Sequence, residues 1–83
     1  MKPTLGRIVI YNTTEDDRTE MENHMSCNVQ LQLPAVIVAV WNDNEGEELV
    51  NLKVMTDGNM PLWVTSVKKG NEEMEWNWLD IKS

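Results

Sequence analysis

The apolar residues of this 83-residue chain fall into five short blocks, each bounded by residues that favour turns. Blocks of this length that are rich in Val, Ile and Trp are typical of β-strands, whereas an amphipathic helix shows a longer 3.6-residue repeat. A chain of this size has room for one hydrophobic core, so we expect a single domain over residues 1–83. The predicted strands are residues 6–11, 35–41, 49–55, 62–69 and 74–79.

The order of these strands favours a closed barrel. Short polar turns separate the later strands, and Asp57-Gly58 between residues 49–55 and 62–69 predicts a hairpin. A long excursion, residues 13–32, follows the first strand. This arrangement fits an all-β fold, a five-stranded SH3-like small barrel, in which closure removes the exposed strand edges of a small sheet. An open five-stranded sheet with one packed helix is the alternative.

The excursion is predicted to contain a short helix between the first and second strands. Thr14 stands three residues before Asp17, as in a capping box, and further acidic residues occupy the first turn. Met21, His24 and Met25 would share one face of that helix. An acidic irregular loop is the alternative.

The second predicted strand, residues 35–41, is apolar on both faces. With regular alternation, one face would carry Ala35, Ile37, Ala39 and Trp41, and the other Val36, Val38 and Val40. One face fills the core, so the other needs a cover. Either the Met21/Met25 helix or a neighbouring subunit could supply it, and we therefore expect a homo-oligomer.

Charge and cysteine content argue against several classes of protein. Seven basic and fourteen acidic residues give a formal net charge of −7, which opposes contact with phosphates, so no direct nucleic-acid binding is expected. No segment approaches the roughly 20 apolar residues of a membrane span, and the N-terminal segment lacks the apolar core of a secretory signal. Cys27 is the one cysteine and cannot form an internal disulfide, which is consistent with the cytoplasm.

Few side chains offer catalytic or metal-binding chemistry. His24 and Cys27 could pair as base and nucleophile, but a third member is missing, and packing on the barrel is the simpler interpretation. One His and one Cys also fall short of the three or four protein ligands of zinc. The glycines are isolated, so no phosphate-binding loop is present. We predict no catalytic residue, no metal and no cofactor.

Four Trp and no Phe form the strongest functional signal. A narrow barrel can hardly enclose four indoles, so one or two should lie at the surface as an interface or a stacking platform. A basic side chain beside an exposed indole would suit a flat anion such as a nucleotide, although strand lysines can also serve only to protect sheet edges. The candidate binding residues are Trp41, Trp63, Trp76, Trp78, Arg7, Lys53 and Lys68.

The segments "KPTLGRIVIY", "LPAVIVAVW", "VNLKVMTDG", "LWVTSV" and "WNW", in this order, resemble a family of small proteins encoded by tailed bacteriophages and prophages. The resemblance covers nearly the full length except residues 13–32. Relatives tend to end in Trp-x-Trp-Pro, where this chain has Leu79, and to carry an aromatic residue where Met55 stands. The resemblance implies action in the cytoplasm of an infected bacterium or a place in the phage particle, and it brings no catalytic residue with it.

These observations predict a non-enzymatic phage accessory protein that binds through a Trp-bearing barrel surface as a homo-oligomer. Besides a second copy of the chain, the expected partner is a host or phage protein. The alternatives are a protein that sequesters a nucleotide signal of bacterial immunity, and a structural component of the particle.

Overall fold

The computed structural model describes residues 2–25, 27–58 and 60–79. The strands close into one barrel in the order β1-β2-β3-β4-β5, with antiparallel neighbours except for the parallel pair β4 and β5. The predicted SH3-like barrel is confirmed, and the open-sheet alternative is wrong. The elements are β1 (Ile8–Asn12), α1 (Glu15–His24), β2 (Gln32–Asn42), β3 (Leu49–Val54), β4 (Leu62–Lys69) and β5 (Glu75–Trp78).

The barrel is filled by alternate residues of its strands. β1 contributes Val9 and Tyr11, and the side chain of Trp76 from β5 is the largest that is fully buried. Met21 reaches the same core from α1, so the helix packs on the apolar cluster. The remaining buried apolar residues are Leu33, Ala35, Ile37, Val50, Leu52, Val54, Val64 and Val67.

β2 does not alternate as regularly as predicted. Its register against β3 shifts between Ile37 and Ala39 and again after Val40. Such bulges insert an unpaired residue and change which face the following side chains occupy. Val40 therefore packs against the core while Trp41 is 64% exposed. The prediction that Trp41 shares a face with Ile37 is wrong for this reason.

The helical insertion forms as predicted. Thr14 caps α1, and its side chain and that of Asp17 form a reciprocal capping box with bonds of 2.9 and 3.0 Å. His24 is exposed and lies 3.1 Å from Glu20, so it does not join the buried face of Met21. Because the helix packs on the core, it leaves the outward side of β2 uncovered.

The fifth strand is shorter than predicted. It begins at Glu75, and Met74 lies in the preceding turn with φ of 63° and 50% of its surface exposed. The prediction that Met74 shares a face with Trp76 and Trp78 is therefore wrong.

Among the described residues, no helix is long and apolar enough to cross a membrane.

Tyr11 connects the barrel to α1. Its hydroxyl donates a 2.6 Å hydrogen bond to Asp17 Oδ2, and burial, followed by this bond, raises the pKa of Tyr11. The folded protein therefore keeps the phenol neutral, whereas the unfolded chain ionises near pH 10. Stability from this difference is present below about pH 10 and is lost as the pH rises above it.

We expect Tyr11→Phe to lower the free energy of unfolding by about 1 kcal/mol at neutral pH, because Asp17 loses a hydrogen-bond donor. The variant should also lose less stability than the wild type between neutral pH and about pH 11. Urea denaturation of both proteins at the two pH values measures this difference, and lysine titration is common to both. Equal losses in the two proteins would contradict the role given to Tyr11.

Candidate functional site

The four indoles divide between the interior and the surface. Trp76 is fully buried and Trp78 is half-buried, whereas Trp41 and Trp63 are 64% and 63% exposed. The expectation of one or two surface indoles is therefore confirmed. Trp76 is wrong as a binding candidate, because its ring has no surface that a partner could touch.

Trp41 is held in place on the outside of β3. Its Nε1 donates a 2.8 Å hydrogen bond to Asn51 Oδ1, and the same oxygen accepts a 2.8 Å bond from the backbone N–H of Ser66. Asn51 points outward between the core residues Val50 and Leu52. The indole is thus fixed to the outer surface by a side chain that is itself only 9% exposed.

Trp63 ends a row of outward residues that crosses four strands. In the ladder, Ile8 lies opposite Val36, Val36 opposite Lys53, and Lys53 opposite Trp63. Side chains that lie directly opposite one another on one face of a sheet are in contact range. The row ends in Ile8, which is 44% exposed, and in Trp63, which is 63% exposed. Both ends of the row are therefore apolar and open to solvent.

Both exposed indoles belong to the same face of the barrel. Asn51, which holds Trp41, and Lys53, which lies opposite Trp63, are two residues apart on β3, or about 7 Å. Val38 is 41% exposed at the first bulge of β2. We call this surface the outer Trp face, and it consists of Ile8, Val36, Val38, Trp41, Lys53 and Trp63.

The outer Trp face is free of negative charge. Strands β1 to β4 contain no Asp or Glu, and the acidic residues lie in α1, in the turns, in β5 and near the C-terminus. Lys53 is the charged member of the face. An acidic protein therefore presents, on one side of its barrel, an apolar and aromatic surface whose one charged residue is Lys53.

Arg7 and Trp78 form a separate pair. The Arg7 guanidinium lies 5.2 Å from the centre of the Trp78 ring, in cation–π contact. Trp78 in turn meets Trp76 edge-on, with ring centroids 4.9 Å apart and planes at 89°. Arg7 and Trp78, both candidate binding residues, therefore pack against each other, and the Arg7 guanidinium already covers the Trp78 ring.

Lys68 lies apart from both groups. It is opposite Leu49 and Glu75 near the end of β4, and it lines a cavity of about 370 Å³ together with Glu47 and Glu48. Of the three basic candidates, Arg7 lies beside Trp78, Lys53 lies opposite Trp63, and Lys68 lies apart from both. Arg7 precedes β1, whereas Lys53 and Lys68 lie on β3 and β4, and sequence spacing does not reveal this separation.

The chemistry-bearing residues of the excursion do not form a site of their own. His24 contacts Glu20 at the surface, while Cys27 is half-buried and packs against the core. Within the described ranges, no group of three His, Cys, Asp or Glu side chains is placed to hold a metal ion.

Sequence reasoning missed Asn51, which positions Trp41. In a strand with regular alternation, an Asn on the outer side is expected to be exposed to solvent. The burial of Asn51 depends on the bulges of β2 and β4.

No protein-family model, curated protein or solved structure matches the chain. Function is therefore inferred from the outer Trp face itself.

Proposed function

We propose that the outer Trp face is a protein–protein interface, and that this chain is a non-enzymatic binding module that self-associates through it. The observation that carries the proposal is the presence of two exposed indoles, Trp41 and Trp63, on one face without carboxylates. In this proposal the protein is a phage accessory factor in the cytoplasm of the infected bacterium.

The composition of the face suits an interface. Trp is among the residues that contribute most to binding energy at protein interfaces, and charged residues are depleted from interface centres. Trp41, Trp63, Ile8 and Val38 together expose apolar area on the order of 400 Å². That area would form the apolar centre of a standard interface, in which each partner buries about 800 Å².

The restrained position of Trp41 supports the same function. A side chain that is already fixed loses little conformational freedom when a partner covers it, so more of the contact energy appears as affinity. The bond to Asn51 supplies this restraint before any partner arrives.

A second copy of the chain is the partner that the charges favour. With a net charge of −7, two copies repel each other through most of their surfaces, and the acid-free face is where this repulsion is smallest. Lys53 on one copy would also be attracted by the acidic turns of the other. A face that is apolar on both copies can form the symmetric contact of a two-fold dimer.

The two alternatives have less support. A nucleotide clamp would need a free basic side chain beside an open ring, and Arg7 is already packed on Trp78. Lys53 opposite Trp63 is the pair that such a clamp could use, and it lies within the proposed interface. A structural place in the phage particle rests on the sequence resemblance alone.

Sedimentation equilibrium of the purified full chain tests the proposal. We expect a mass of at least two chains at micromolar concentration, with dissociation on dilution. A single-chain mass across the whole micromolar range would overturn self-association.

A further inference from the structure

A second surface of the barrel is lined by side-chain amides. Two adjoining cavities of about 620 and 630 Å³ lie along the outside of β5, β1 and β2, and they share Asn12, Gln32 and Asn71. Gln30 adds a further amide to the first cavity, and Asn77 adds one to the second. We call this continuous surface the amide groove, and its size is within the range of small-molecule sites.

Hydrogen bonds between neighbours hold several of these amides in place. Gln32 Nε2 donates to Asn12 Oδ1 at 2.8 Å, and Asn12 Nδ2 donates to the backbone carbonyl of Glu75 at 3.1 Å. Across the groove, Asn77 Nδ2 donates to Asn71 Oδ1 at 2.6 Å. The polar groups are thereby oriented before a ligand binds, which lowers the entropy cost of binding.

The same bonds leave other amide atoms open. Among the described residues, Gln32 Oε1, Asn71 Nδ2 and the Gln30 side chain have no hydrogen-bond partner. Each primary amide offers a carbonyl acceptor and two N–H donors. The groove therefore presents neutral donors and neutral acceptors side by side.

The charges of the groove argue against an ionic ligand. Arg18 is the cation at its wall, and it is already bound to Glu73 at 2.9 Å and to the carbonyl of Thr13 at 2.7 Å. A phosphate or carboxylate would meet Glu72 and Glu73 with no free cation among the described lining residues. At the other end, Ile10, Trp78 and Leu79 supply an apolar wall.

We propose that the amide groove binds an uncharged, hydroxyl-rich ligand, namely a segment of a neutral oligosaccharide. A hydroxyl both donates and accepts, so each one can match the paired acceptor and donor of a primary amide. The C–H surfaces of the sugar rings would pack on the apolar wall at Ile10 and Leu79. The groove is thus a binding site separate from the outer Trp face.

The two surfaces can be tested separately because they consist of different residues. Along β1, Ile10 of the groove's apolar wall is two residues from Ile8 of the outer Trp face, or about 7 Å, and the amide of Asn12 is four residues from Ile8, or about 13 Å. They share no residue. A failure of sugar binding would leave self-association unaffected, and the reverse also holds.

Nuclear magnetic resonance of the ¹⁵N-labelled full chain provides the test. Maltotetraose, cellotetraose and chitotetraose serve as neutral probes, and tetragalacturonate serves as the charged comparison. At least one neutral probe should shift the side-chain amide signals of Gln30, Gln32 and Asn71 in a saturable manner. The double variant Gln30→Ala/Gln32→Ala should bind that probe at least about tenfold more weakly, because two or more hydrogen bonds are lost.

Asn44→Ala is the matched control, because it removes an exposed amide that does not line the groove, and it should leave binding unchanged. The proposal is overturned if none of the three neutral probes gives a saturable shift. It is equally overturned if tetragalacturonate binds as tightly as the neutral probes, or if the double variant binds them as well as the wild type.

Discussion

Replacement of Trp76 by alanine is expected to lower the free energy of unfolding by about 3–5 kcal/mol. The Trp76 ring is fully buried, lies opposite Tyr11 in the ladder and contacts Trp78 edge-on, so its removal opens a cavity that the closed barrel cannot easily fill. A domain of this size has a total stability of about 4–12 kcal/mol. The variant should therefore lose between about a quarter and all of its stability, and it should unfold at a clearly lower urea concentration than the wild type.

Trp76→Phe should cost clearly less than Trp76→Ala. The indole Nε1 has no hydrogen-bond partner in the described part of the chain, so phenylalanine removes a buried donor while it retains most of the ring. Urea denaturation followed by far-ultraviolet circular dichroism measures both variants, since the fluorescence itself changes when a Trp is lost.

Trp63→Ala is the matched control for these measurements, because Trp63 is 63% exposed and makes no side-chain hydrogen bond with another described residue. Its cost should be within about 0.5 kcal/mol when the protein is dilute enough to be monomeric. If Trp76→Ala were no more destabilising than Trp63→Ala, Trp76 could not be the principal residue of the core.

The second large effect concerns association. Trp63→Ala is expected to raise the dissociation constant of the self-associated form by at least about 30-fold, which corresponds to a loss of about 2 kcal/mol for an interface Trp. The effect arises because each copy loses an exposed ring at the end of the row that begins at Ile8. Sedimentation velocity over a dilution series measures the change.

Leu31→Ala provides the control for association. Leu31 is 70% exposed and apolar, but it precedes β2 and does not belong to the outer Trp face. Its replacement should leave the dissociation constant within about threefold of the wild-type value. An equal loss in the Leu31 and Trp63 variants would show that association depends on general surface hydrophobicity and would contradict the assigned interface.

The fold could be predicted from the sequence because its signals are local. β-branched blocks mark β2 to β4, and the Thr14–Asp17 capping box marks the start of α1. The bulges of β2 could not be predicted, because an unpaired residue is specified by the partner strand and not by the strand's own pattern. This is why the sequence predicts one or two exposed indoles and names Trp41 as a candidate, but places Trp41 on the wrong face of β2.

Neither binding surface could be assembled from spacing alone. The row from Ile8 to Trp63 depends on three strand registers, each of which must be known to within one residue. The amide groove joins Asn12, Gln32 and Asn77, which lie far apart in the chain and meet through the pairing of β1 with β2 and β5. Residue types indicated the indoles and the basic side chains as candidates but not the amides, and the register decides which side chains lie together.

The excursion between β1 and β2 has a consequence for how such a protein can change over time. Because β1 and β2 are neighbours in the barrel, the intervening segment only has to return to the strand beside the one it left. Lengthening such a loop is cheap, at about 0.6 kcal/mol per doubling. Gln30 and Arg18 of the groove lie in this segment, whereas the outer Trp face takes no residue from it. If the groove binds a ligand as proposed, changes of length beside Gln30 can alter ligand choice while the outer Trp face is unchanged, provided that Met21 of α1 stays in the core.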